Sequence, residues 1–213
     1  MCGIIAYTGK RDPIPILING LRRLEYRGYD SAGVAIHDNG SLMVKKTEGK
    51  VSRLSEIVTN DQIVSDSGCG IAHTRWATHG NPTSLNAHPH ISYRKGIALV
   101  HNGIIENHLK IRKSLEDQGY KFKSSTDSEA LVNLIDCYYE GDLIEAITRA
   151  VEEVEGTFGI VCIAQDKPGI LGVARRGSPI VIGVNNEETL VASDSSAIIR
   201  HTKNVIYLVD NDV

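Results

Sequence analysis

The chain has 213 residues, enough for one large domain or two cramped ones when domains commonly run to roughly 100–150. Apolar residues make up 41% and charged residues 23%, ordinary globular usage that excludes intrinsic disorder and fibrous classes. Lys plus Arg number 23 against 26 Asp plus Glu, a formal charge of −3, which leaves no basic footprint for nucleic acid or an anionic membrane. The start, MCGIIAYTGKRD, lacks the basic residues and longer apolar stretch of a signal peptide, and no apolar run approaches the ~18–20 residues of a membrane span. Two Phe, eight Tyr and one Trp leave the core to Ile, Val, Leu and Ala.

Strand-like runs open the chain: GIIAYTG (3–9), SAGVAIHD (31–38), SLMVKKT (41–47), CGIAHTRWA (69–77) and GIALVHNGI (96–104). Between the first two, Asp12 caps a helix, Pro13 suits its first position, and Ile14, Leu17, Ile18, Leu21 and Leu24 repeat at helical spacing. After residue 106 the period turns helical. Asn107 caps a helix running towards Gly119. Thr126 and Glu129 make a capping box ahead of Leu131, Leu134, Ile135 and Tyr138. Asp142 caps a further helix striped by Ile144, Ile147, Val151 and Val154. Strands then resume as GTFGIVCIAQ, GILGVARRG, PIVIGVNN, ETLVASD and NVIYLVD.

Strands and helices do not alternate along this order, so a doubly wound parallel sheet is not expected. Runs such as IVCIA and IVIGV are apolar on both faces, and their sheets need cover on both sides. Two sheets packed face to face with helices outside meet that need: an α+β fold in four αββα layers. No repeat, low-complexity tract or Pro/Ser-rich linker divides the chain, which reads as one domain over 1–213. It stops on a strand and its turn, VIYLVDNDV, which fits a natural end and equally a domain cut from a longer polypeptide.

The four cysteines at 2, 69, 137 and 162 form no CxxC pair, and without a secretion signal they read as reduced thiols in a cytoplasmic setting. Cys69, Cys137 and Cys162 sit in apolar company as small buried hydrophobes. Cys2 differs because it follows the initiator methionine. Removal of Met1 leaves a thiol of pKa roughly 8.5 on the same residue as an α-amine of roughly 7.7–8. That amine can take the thiol proton and return it to a leaving group, so one residue supplies nucleophile and base.

Three further segments are candidates. HTRWATHGNPTSLNAHPH (73–90) carries four histidines and little charge apart from Arg75, whose guanidinium offers a fork for a carboxylate. In HNGIIEN (101–107), the Asn102 side-chain NH₂ and the unshielded Gly103 N–H make a plausible oxyanion hole, although Asn-Gly taken alone reads as a tight turn. Asp127, in SSTDSEA, reads by itself as a helix-dipole partner. A metal reading rests on His88 and His90 in HPH with His73, His79 and His101 nearby, but no HExxH or similarly spaced carboxylate accompanies them, so no metal is expected. Neither GxxxxGK[ST] nor GxGxxG after a strand occurs, and no cofactor is expected.

Taken together, MCGI, LRRLEYRGYDSAGVA (21–35), HTRWATHG (73–80), VHNGIIEN (100–107), TDSE (126–129) and RRGSPIVIG (175–183) resemble the glutaminase domains of the isomerising glutamine–fructose-6-phosphate aminotransferases, class II glutamine amidotransferases. The match runs in order along essentially the whole chain. Amidophosphoribosyltransferase and asparagine synthetase share the Cys-Gly start and the RG, NG and D positions, with different text around them. One departure is Ala6, where the family commonly has glycine.

The resemblance implies the αββα sandwich of N-terminal-nucleophile hydrolases. It also implies attack of the Cys2 thiolate on the side-chain amide of L-glutamine, giving a thioester and ammonia before water releases glutamate. On the same basis Asn102 and Gly103 form the oxyanion hole, Arg75 grips the substrate α-carboxylate and Asp127 holds its α-ammonium. Thr78 and His79 line the same pocket, Arg27 helps to position Cys2, and Trp76 gates the site towards an ammonia channel, unless it is an ordinary packed indole. The family's partner is a sugar-isomerase domain of the same polypeptide, which binds fructose-6-phosphate and is absent from this sequence; a homodimer of that full-length enzyme stays open. Other readings are the glutaminase domain of another class II amidotransferase, a metal-dependent hydrolase built on the histidines, and a non-catalytic binding module.

Overall fold

The computed structural model describes residues 2–65, 67–76, 83–94 and 96–213. The chain opens with β1 (Gly3–Gly9), α1 (Pro13–Leu24), a single 3₁₀ turn (Glu25–Arg27), β2 (Ser31–Asp38), β3 (Ser41–Glu48) and α2 (Val51–Asn60). It continues through β4 (Cys69–Arg75), β5 (His90–Ile91) and β6 (Ile97–Ile105) into α3 (His108–Asp117), α4 (Asp127–Tyr138) and α5 (Leu143–Glu153). The last stretch is β7 (Gly156–Ala164), β8 (Gly172–Arg176), β9 (Val181–Val184), β10 (Glu188–Ala192), a 3₁₀ turn (Ser195–Ala197) and β11 (Val205–Tyr207).

Two antiparallel sheets result. One has seven strands in the order β11-β9-β10-β1-β4-β2-β3, the other four in the order β5-β6-β7-β8. The period-2 alternation of strand side chains sorts their residues into layers. In β1, Ile4 and Ala6 face the other sheet, where they pack with Ile71 of β4, Val100 of β6 and Val161 of β7. Ile5 and Tyr7 face outwards and meet Leu17 and Leu21 of α1 and Leu54 of α2. On the far side, Leu99 of β6 and Ile160 of β7 pack under Leu115, Leu131 and Ile147 of the three later helices. This is the αββα sandwich, built from aliphatic side chains that each contribute about 1.5–3 kcal/mol on leaving water.

Several local expectations change. Helix α2 was not expected. Its Val51, Leu54 and Val58 are buried at helical spacing, but Lys50 makes no side-chain cap, and the first N–H is instead accepted by Glu25 Oε1 at 2.8 Å. Asp12 and Asp142 do cap their helices. Asn107 precedes α3 without capping it, its side chain bridging Glu153 O and Glu155 N instead. Only half of the capping box forms: Thr126 Oγ1 accepts from Glu129 N, while the Glu129 carboxylate accepts from the backbone of Lys123 and Ser124. Ile144 is exposed, its place in the stripe of α5 taken by Leu143. Cys69 and Cys162 are buried; Cys137 is only partly so, its thiol donating to Gln118 Oε1.

Candidate active site

The antiparallel register sets Gly3 of β1 opposite Thr74 of β4, so Cys2 comes to lie beside Arg75 and Trp76 at one end of the sandwich. The Trp76 backbone N–H donates to Cys2 Sγ at 3.3 Å. From the facing sheet, β6 brings Asn102, whose Nδ2 donates to Cys2 O at 3.2 Å. Asn102 and Gly103 sit inside β6, paired with Gly159 and Phe158, so the tight-turn reading of Asn-Gly fails. Gly103 has φ +135°, and a Cβ there would lie 2.1 Å from Thr157 O, so the position accepts only glycine.

Cys2, Trp76 and Gly103 line two adjoining hollows. The outer one, of about 240 Å³, adds Arg27, Asn102 and Pro179 to them. The inner one, of about 30 Å³, adds Arg75, His101 and Asp127. The inner hollow has room for a water or two, so seating an amino-acid head group there takes movement of its walls. A larger hollow of about 540 Å³, bordered by Val44, Lys46, Tyr93 and Lys123, contains none of these residues, so size does not locate the site.

Both charged candidates are buried: Arg75 is the last residue of β4, and Asp127 is the first of α4. Asp127 does more than complement its helix, for Oδ2 accepts from Ile105 N and Oδ1 from Ser128 N, each at 2.9 Å. Arg27 donates to Ser193 O and to Asp194 Oδ2. Ser193 Oγ accepts in turn from Ile4 N, so Arg27 braces the strand that carries Cys2. Gly28 lets this segment approach closely, since a Cβ on it would fall 2.8 Å from the Arg75 carbonyl carbon. Trp76 is no packed core indole. It is 48% exposed and stands edge-on to Tyr29, ring centroids 5.7 Å apart. Thr78 and His79 lie outside the described residues.

Behind Asn102 sits a layer of histidines that no motif assigned. His73, His88, His90 and His101 are all buried. His73 Nε2 donates to Asn102 Oδ1 at 3.0 Å, and Ser128 Oγ joins His88 Nε2 to His101 Nδ1. Burial lowers the proton affinity of all four, taking His73 down to about 3. Among the described residues, no three His, Cys, Asp or Glu side chains are arranged to hold a metal ion. Burial also pushes the Cys2 thiol up, against the lowering influence of the Trp76 N–H and the Arg75 charge. The histidine layer left a trace in the sequence, five histidines within 73–101 on strand-like or polar text, but which atoms they face depends on pairing between distant strands.

Comparison with known proteins gives a consistent picture. The family model described as a glutamine amidotransferase domain matches residues 73–200. The glutamine–fructose-6-phosphate aminotransferase [isomerizing] of Caldanaerobacter subterraneus subsp. tengcongensis is 46% identical over 213 residues, covering all of this chain and 35% of its own length. That of Bacteroides thetaiotaomicron is 50% identical over 217 residues, with the same shares. The chain thus spans about a third of the length of these curated relatives. Among solved structures, the glutamine phosphoribosylpyrophosphate amidotransferase of B. subtilis superposes with a TM-score of 0.81 at 26% identity, covering 99% of this chain and 46% of that one.

Proposed function

The chain belongs to the glutamine amidotransferase domain family, and from that premise we propose that it hydrolyses the side-chain amide of L-glutamine, with Cys2 as nucleophile. One observation carries the reading. Cys2 stands beside Asn102, whose amide donates to its carbonyl, and with Gly103 it lines a hollow that Arg75 and Asp127 also border.

With Met1 removed, the Cys2 α-amine titrates near ~7.7–8 and accepts the thiol proton, offsetting the burial that disfavours the thiolate. Sγ bonds to the amide carbon, and the negative charge moves onto the amide oxygen, where Asn102 Nδ2 and the Gly103 N–H receive it. The α-ammonium then protonates the departing nitrogen, and the C–N bond breaks to leave a thioester and ammonia. Water, deprotonated by the same amine, opens the thioester to glutamate. Free glutamine carries a zwitterionic head, which Arg75 and Asp127 match with one cation and one anion. Peptide-linked glutamine lacks both charges and leaves the two residues unpaired, so it is refused. Arg27 positions Cys2, and Trp76 gates the outer hollow.

The 213 residues act as one glutaminase domain. In a parent chain of its relatives' length, the ammonia passes to a sugar-isomerase domain of the same polypeptide, where fructose-6-phosphate becomes glucosamine-6-phosphate. That parent works in the cytoplasm as a homodimer. Among the described residues no helix is long and apolar enough to cross a membrane.

Intact mass after exposure to an electrophilic glutamine analogue tests the site, together with glutamate release by Cys2→Ala. A single adduct on Cys2, absent from the variant, is expected, with no glutamate released by the variant. Glutamine hydrolysis by Cys2→Ala overturns the reading.

A further inference from the structure

The Asn102 amide can sit in two orientations of nearly identical shape, and they have opposite consequences. With Nδ2 turned to Cys2 it presents a donor; flipped, it presents an oxygen to a charge that is itself negative. Shape does not choose between them; the hydrogen bond on the far side does. His73 Nε2 lies 3.0 Å from Asn102 Oδ1 and 3.2 Å from His101 O. The backbone carbonyl can only accept, so Nε2 carries the proton, and an Asn102 flip would set that N–H against the amide NH₂. His73 Nδ1 has no hydrogen-bond partner among the described residues, which suits a bare lone pair better than a buried N–H.

The ring is held in place. It stacks on His88 with centroids 4.1 Å apart, His88 Nε2 meets Ser128 Oγ at 3.0 Å, and Ser128 Oγ meets His101 Nδ1 at 2.8 Å. Being 1% exposed, the imidazole is shielded from bulk solvent.

We propose that His73 is a positioning residue whose Nε2–H selects the Asn102 orientation that turns Nδ2 towards Cys2. The proposal rests on Asn102 serving as an oxyanion donor, and it adds a cause for the direction in which that donor points.

Two substitutions separate the hydrogen bond from mere filling of space. His73→Gln can place an amide N–H where Nε2–H stood; His73→Leu cannot. Glutamine hydrolysis by His73→Leu should lose about 10–10²-fold in kcat, less than loss of the donor itself, with KM within a few-fold. His73→Gln should recover most of that loss. Once Asn102→Ala is present, His73→Leu should cost nothing more. Additive losses in the double variant, or unchanged kcat in His73→Leu while the parent chain hydrolyses glutamine, overturn the proposal. A parent chain without glutaminase activity overturns the functional reading instead. Imidazole ¹⁵N spectra of the parent chain need neither activity nor a variant that folds. His73 is expected as the neutral Nε2–H tautomer at neutral pH, and an Nδ1–H tautomer or an imidazolium there overturns the proposal.

Discussion

Asp127 Oδ2 accepts the Ile105 backbone N–H at 2.9 Å, fastening the first residue of α4 to the last residue of β6. With Oδ1 on Ser128 N, both carboxylate oxygens are engaged by buried backbone, and the same side chain borders the inner hollow. The fastening role and the proposed substrate role therefore meet in one group, and a substitution should disturb both.

For Asp127→Asn, an NH₂ must face one of the two N–H donors. A stability loss of about 1–3 kcal/mol is expected, along with a fall in kcat/KM for glutamine. Thermal melts and glutaminase kinetics on the same preparation decide the matter. A lowered Tm with normal kinetics would confine Asp127 to its fastening role and leave the substrate ammonium without a partner.

Arg75→Ala should strand the substrate carboxylate. Loss of a charge-assisted contact of about 1.5–3 kcal/mol corresponds to ~10–150-fold in kcat/KM, seen mainly at low glutamine. An unchanged kcat/KM rules out the assignment.

Asn102→Ala should lower kcat by about 10²–10³-fold while KM moves little, because the ground-state amide oxygen carries little charge. Rapid-quench turnover of bound glutamine is the measurement. If KM collapses and bound substrate turns over normally, Asn102 is a binding residue.

Active protein should lack Met1, and an N-terminal tag should abolish glutamine hydrolysis, since the Cys2 amine is then an amide. Mass spectrometry reads the processing directly. Full activity from protein shown to retain Met1 would remove the amine from the mechanism.

The four histidines buried behind Asn102 predict the acid side of the stability curve. Their folded-state proton affinities are depressed, so the unfolded chain binds more protons once pH drops below ~6.5. The stability is fully present above that value and drains away as pH falls, for His73 until about 3. Each histidine adds a slope of roughly 1.4 kcal/mol per pH unit within its window. Urea melts at about pH 7 and about pH 5 should differ markedly, and His90→Gln should flatten the difference. Equal stability at the two values would mean that these imidazoles protonate freely in the fold.

What the sequence disclosed about fold and site was whatever local chemistry decides. Apolar runs on both faces of the later strands required cover on both sides, and Asp12 and Asp142 cap from within two or three residues. Cys2, by position, and Asn102–Gly103, by residue type, could be singled out without knowing their neighbours. Helix α2 was hidden because its first N–H is satisfied by Glu25, 26 residues away. Asn107 and Glu129 were misjudged for a related reason: each had a local partner to offer itself to and took another. His73 shows the same limit most sharply. Its function resides in one nitrogen facing an amide on the opposite sheet, a relation that exists only after the sandwich closes.

The strand that carries Cys2 has β4 on one side and β10 on the other, with Ile5 opposite both Ala72 and Ala192. β1 thus cannot find its full set of neighbours until residues 188–192 have been made. Such distant closures are slow relative to local helix formation. Pairing with β4 sets Cys2 beside Trp76, and the facing sheet brings Asn102 to it. The surroundings of Cys2 are therefore a product of long-range strand pairing, completed later than the local helices.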